Sequence, residues 1–190
     1  YIKRVLNTST EISPGTDAAT FFNIKEINSS DISNEDLNSF NSVIIINKQR
    51  FLSTEAAKVK SYIESGGGVL LYPGNLSEID NYNNELMKLM DLPYITGKFD
   101  QTEALKFDKV DLEHPVFEGI FRSDHDKKNI SIESPSVIKG ITPGSGKNAQ
   151  SIVTLTNGTN FMEEYSMGKG KLIMFASPPD MSSSDFPSKN

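Results

Sequence analysis

The residues that could carry chemistry fall in a few short stretches. Ser177-Pro178-Pro179-Asp180 offers a hydroxyl and a carboxylate directly after an apolar run. A serine nucleophile needs a base beside it, and the sequence supplies only His114 and His125. Ser-Pro-Pro also lacks the strained Gly-x-Ser-x-Gly elbow of the serine hydrolases. His114 follows Asp111 and Glu113 and precedes Pro115, so it reads as a general base, a metal ligand or a turn cap. Without a paired second ligand the cap is the favoured role. Asp124-His125-Asp126 has the residue types of a metal cluster, but adjacent side chains seldom point the same way, and Lys127-Lys128 marks a solvated loop. Gly144-Ser145-Gly146-Lys147 lacks the upstream glycine spacing and the Ser or Thr after lysine that a phosphate loop requires. Pro73-Gly74-Asn75 is a sharp turn after an apolar strand, the position where open α/β sheets bind ligands. A glycine there lets a ligand approach backbone N–H groups, and a helix start beyond it favours anions. The plain alternative is an ordinary tight turn.

Composition narrows the chemistry further. There is no cysteine, which removes disulfides, thiolate catalysis and cysteine-ligated metals together. The net charge of −6 with scattered lysines argues against a nucleic-acid partner. At 190 residues, 36% apolar and 23% charged, the chain is expected to form one globular domain over residues 1–190. Its longest apolar runs, Ser42 to Ile46 and Val69 to Tyr72, are strand-sized and far too short to span a bilayer. Tyr1 to Leu6 reads as the tail of a helix already under way, so the expectation is a fragment of a longer chain whose upstream part adds a further strand.

The elements that must position these residues alternate through the first half. Phe21 to Ile27 reads as a short strand, and a helical turn is expected around Glu35-Asp36-Leu37. Val43 to Ile46 is apolar on both faces, as in a parallel strand covered twice. Ser53 is expected to cap a helix over 54–65, with Ala56, Val59, Tyr62 and Ile63 on one face and Gly66-Gly67-Gly68 as its stop. Val69 to Tyr72 is the next buried strand. A second amphipathic helix over 77–90 buries Ile79, Tyr82, Leu86, Leu89 and Met90. Short connections between these elements predict a βαβ sheet. The second half reads as strand edges at 102–110 and 129–132, a loop over 140–148, and strands at 151–156, 161–165 and 171–175. Asn157-Gly158 signals a hairpin.

Several segments in this order resemble the class I glutamine amidotransferase-like fold, and within it the non-catalytic domains of bacterial Bat-type (aerotolerance-associated) membrane proteins. They are Gly66-Gly67-Gly68-Val69-Leu70-Leu71-Tyr72-Pro73-Gly74, His114-Pro115-Val116-Phe117-Glu118-Gly119, Gly168-Lys169-Gly170-Lys171 and Ser184-Asp185-Phe186-Pro187. The His-Pro-x-x-x-Gly segment is also similar to the ThuA-like branch. The resemblance implies a flavodoxin-like parallel sheet flanked by helices, with an antiparallel extension in the C-terminal half. Catalytic relatives carry a cysteine on the turn after a central strand and a late histidine. Here the turn is Pro73-Gly74-Asn75, and the last histidine is His125.

The implied function is therefore a non-catalytic ligand- or protein-binding module without a cofactor. The resemblance further implies membrane anchoring outside this chain, a periplasmic location, and partners among other envelope proteins. The residues expected to line its site are Pro73, Gly74, Asn75, His114, Ser177 and Asp180. The rival expectations are a hydrolase using Ser177 or a His114-centred site, and a carbohydrate-binding domain with Tyr72, Tyr82 or Tyr94 as its platform.

Overall fold

The computed structural model describes Leu6 and residues 22–74, 77–118, 134–146 and 148–185. Its centre is a six-stranded mixed sheet: β1 (Ser42–Ile46), β2 (Gly68–Tyr72), β4 (Phe107–Val110), β6 (Ala149–Leu155), β7 (Asn160–Met167) and β8 (Gly170–Phe175). The strand order is β1-β2-β8-β7-β6-β4. β1, β2 and β8 run parallel, and β7, β6 and β4 extend the sheet with antiparallel pairings. A second sheet pairs β3 (Ile95–Leu105) with β5 (Val137–Pro143). The α/β class and the antiparallel C-terminal extension both follow the sequence reading.

Strand periodicity sorts the parallel part into two unlike faces. Ile45, Val69, Leu71, Leu172 and Met174 are buried and share one core with Ala56, Val59 and Ile63 of α1 (Ser53–Glu64). On the opposite face Ile44, Leu70 and Ile173 are half-buried and Ile46 is 44% exposed. At the carboxyl end of that face Tyr72 and Phe175 stack, with ring centroids 4.2 Å apart.

Several expectations need correction. Residues 22–27 form no strand, and Phe22 and Ile27 are exposed; the Lys25–Glu35 ion pair at 2.6 Å ties this segment to the short 3-10 turns that follow. α1 begins at Ser53, so Ser53 is its first residue and not its cap. Glu55 reaches back to the Leu52 N–H at 2.9 Å, while the Ser53 hydroxyl turns to Glu85. The helix stops as expected, with Gly66 at φ +121°.

The helix expected over 77–90 is α2 (Ile79–Asn81), which runs directly into a π-helical turn, Tyr82–Met87. The Lys88 N–H reaches the Asn83 carbonyl five residues back. The wider turn shifts the helical phase, so Met87 is fully buried while Leu89, expected inside, is 41% exposed.

The loop expected from 140 is strand as far as Pro143. Ile141 is fully buried and its N–H bonds the Ala176 carbonyl at 2.7 Å, so tertiary pairing outweighs the turn-rich composition. The edge expected over 102–110 is divided between β3 and β4. The strand expected at 129–132 lies outside the described residues, as do Asp124, His125 and Asp126.

Candidate functional site

The parallel strands β1, β2 and β8 deliver Asn47, Pro73-Gly74 and Ser177 to one end of the sheet. Asn47 leaves β1 with φ +52°, a conformation asparagine tolerates better than most residues. Its N–H bonds the Tyr72 carbonyl at 2.9 Å, carrying the ladder one step beyond the strand. Its side-chain Oδ1 is buried without a hydrogen-bond partner. Gly74 packs directly on it: a β-carbon at position 74 would fall 1.8 Å from that oxygen.

The expected role of Gly74 as an open backbone cradle does not hold. Pro73 and Gly74 are buried, and the Gly74 N–H is already taken by the Ser77 hydroxyl at 3.0 Å. That hydroxyl donates in turn to the Lys48 carbonyl at 3.1 Å, which also receives the Tyr82 hydroxyl at 2.6 Å. Burial pushes the Tyr82 hydroxyl up to about 12, against a smaller opposing pull from Ser77. Lys48 is buried beside Glu55 at 3.1 Å and donates to the Ser29 carbonyl at 2.6 Å. Asn81 closes the arrangement by holding both the N–H and the carbonyl of Phe51, at 2.7 and 3.0 Å. Ser77, Lys48, Glu55 and Tyr82 thus form a connected set of buried polar groups at the carboxyl end of β1 and β2. Asn75 lies outside the described residues.

Ser177 is buried, and its hydroxyl lies 3.5 Å from the carbonyl of its own neighbour, Pro178. The Asp180 carboxylate accepts from the Ser182 N–H at 3.0 Å and from the hydroxyls of Ser182 and Ser183. It shapes a turn that returns the chain along β5, where the Ser183 carbonyl accepts the Ile138 N–H at 2.8 Å.

His114 sits elsewhere. Its Nδ1 accepts the Val116 N–H at 3.2 Å, capping the 3-10 turn Pro115–Phe117. Its Nε2 lies 3.4 Å from Oε2 of Glu164 on β7, without hydrogen-bond geometry. Glu164 is opposite Ile173 in the β7–β8 ladder, four residues before Ser177 and so roughly 13 Å away along extended chain. His114, Gly74 and Ser177 therefore do not converge, and the Ser177 hydroxyl has neither a histidine nor a carboxylate as hydrogen-bond partner among the described residues.

Of the aromatic candidates for a sugar platform, Tyr72 and Tyr82 are buried and only Tyr94 is exposed. The sequence reading missed Asn47 and Lys48. The available signal was the polar pair Asn47-Lys48 placed immediately after an apolar parallel strand.

No protein-family model matches the chain, and no curated protein matches it. Solved structures do. A cytoplasmic protein of Salmonella typhimurium, STM3548, aligns with TM-score 0.60 and 20% identity, over 83% of this chain and 68% of that one. A second Salmonella typhimurium LT2 cytoplasmic protein, STM1381, aligns with TM-score 0.59 and 18% identity, over 76% of this chain and 63% of that one. The β-galactosidase of Bacillus circulans sp. alkalophilus aligns with TM-score 0.55 and 18% identity, over 78% of this chain but only 22% of the enzyme. At these identities the likeness is one of fold. The two Salmonella proteins are described as cytoplasmic, which contradicts the expected periplasmic, cell-envelope placement, and that expectation is withdrawn.

Proposed function

We propose that the chain is a non-catalytic binding module on an amidotransferase-like variant of the α/β fold. The observation that carries this reading is the state of the turn after β2. Where catalytic relatives of that fold place a cysteine, this chain has a buried glycine seated on Asn47, with its N–H held by Ser77. The other two groups that chemistry would need support the same reading. His114 is engaged with the Val116 N–H and faces Glu164, while the Ser177 hydroxyl is turned to Pro178. The kinship with Bat-type domains is supported by the sequence segments around Gly74, His114 and Gly168.

The test is hydrolysis of glutamine and of an activated ester by the purified chain, beside the Ser177→Ala and His114→Asn variants. The expected result is the background rate for all three proteins. Turnover by the wild type that either substitution abolishes would overturn the reading.

A further inference from the structure

The six-stranded sheet ends differently on its two sides. One outer strand is β4, which carries exposed Asp108 and Lys109 and a register shift against β6. Its Phe107 N–H donates to the Ser134 hydroxyl oxygen at 2.6 Å. Charges, irregular register and occupied backbone groups keep an outer strand from pairing with another chain. The other outer strand, β1, has none of these. It is Ser-Val-Ile-Ile-Ile, without charge, proline or bulge, and matches β2 residue for residue from Ser42 to Ile46. The ladder fixes which of its groups face outward. The Asn47 N–H reaches the Tyr72 carbonyl, so Asn47, Ile45 and Val43 turn their N–H and C=O groups toward β2. Ser42, Ile44 and Ile46 turn theirs away, and none of these outward groups has a partner among the described residues. Ser42 and Ile46, at the two ends of the edge, are exposed.

We propose that this edge pairs with β1 of a second copy of the chain, antiparallel and centred on Ile44. In that register the strand is self-complementary. Ile44 falls opposite the partner's Ile44, and the two exchange N–H···O=C bonds in both directions because both face outward. Ser42 falls opposite the partner's Ile46 and makes the same exchange. The twofold axis stands perpendicular to the sheet, so like faces adjoin. Val43 meets the partner's Ile45 on the α1 face, and the two Ile44 side chains meet on the other, which gives β-branched pairs across the strands. Beyond the strand Asn41 comes level with the partner's Asn47, so no like charges oppose each other along the edge. The net charge of −6, which repels a second copy, is carried entirely outside β1. A second copy thus brings a strand of equal length with every outward group matched, in the commonest closed assembly. The pairing uses none of Gly74, His114 or Ser177, so it holds or fails independently of whether the chain is catalytic.

The experiment is sedimentation equilibrium of the whole chain from about 10 μM to about 1 mM, with amide exchange read by NMR over the same range. Five residues a side make a small interface, in the weak class below ~1,200 Å², so a dimer with Kd on the order of 100 μM is expected. The Ile44 and Ile46 amides should exchange about threefold more slowly at about 1 mM than at about 50 μM. The Ile45 amide, directed at β2, should not change with concentration. Ile44→Lys sets two like charges opposite each other at the axis and should weaken association on the order of tenfold. It leaves the β1–β2 bonds in place, because residue 44 turns away from β2. Ile44→Val keeps a β-branched pair and should associate like the wild type. A monomer at about 1 mM would overturn the proposal and leave the edge to a strand of another protein. So would a dimer that Ile44→Lys leaves intact, or one whose Ile44 amide exchanges at the same rate at every concentration. The exchange readout needs only the wild-type protein and decides even where Ile44→Lys does not fold.

Discussion

A β-carbon at position 74 would lie 1.8 Å from Oδ1 of Asn47. Position 74 is therefore closed to a side chain by the residue that follows β1. Gly74→Ala must displace the Asn47 side chain that packs on it. The expected cost is about 1–3 kcal/mol of unfolding free energy, the range for overpacking a buried site. Urea denaturation measures it, and an unchanged midpoint would mean that Asn47 yields freely.

Lys48 and Glu55 form a buried pair, with side chains 6% and 3% exposed. Lys48→Met leaves the Glu55 carboxylate buried without its cation, and a loss of about 3–5 kcal/mol is expected. In Lys48→Met/Glu55→Leu the uncompensated charge is gone, although the bond to the Leu52 N–H is lost as well. The double variant should be more stable than Lys48→Met alone. A double-mutant cycle by urea unfolding decides this, and strictly additive losses would count against the pair.

Glu163 is almost fully buried, and that burial raises its carboxyl above the ordinary value of 4.5, while Tyr165 and Asn160 bonds pull the other way. A carboxyl with a raised folded-state value favours the folded protein most when protonated. Its contribution is present in full below the unfolded value and is lost as pH rises through the folded one. Glu163→Gln removes this titration. The difference in stability between wild type and variant should therefore drift toward the variant as pH rises from below 4.5 to neutrality. Thermal unfolding across that window reads it, and parallel pH profiles would contradict the assignment.

Strand and helix positions were legible where one-dimensional periodicity coincides with burial. Val43 to Ile46, Val69 to Tyr72 and the helix ending at Gly66 fall where the sequence puts them. The errors share a physical cause. Ile141 is held in a strand by the Ala176 carbonyl, a partner far off in sequence, and local turn propensity carries no trace of it. Likewise the π turn at Tyr82–Met87 changes the helical phase, which a fixed period cannot anticipate. For the candidate site, the sequence correctly placed Gly74 and Ser177 at the end of parallel strands. It could not show that Ser77 had taken the Gly74 N–H, or that His114 lies against Glu164 on β7, opposite Ile173.

A sheet end without an activated nucleophile should be inert to a fluorophosphonate, and the intact mass of the whole chain after treatment measures this. The predicted result is an unmodified protein, because the Ser177 hydroxyl is buried against the Pro178 carbonyl and hydrogen-bonds no base among the described residues. A stoichiometric adduct that maps to Ser177 and disappears in Ser177→Ala would contradict it.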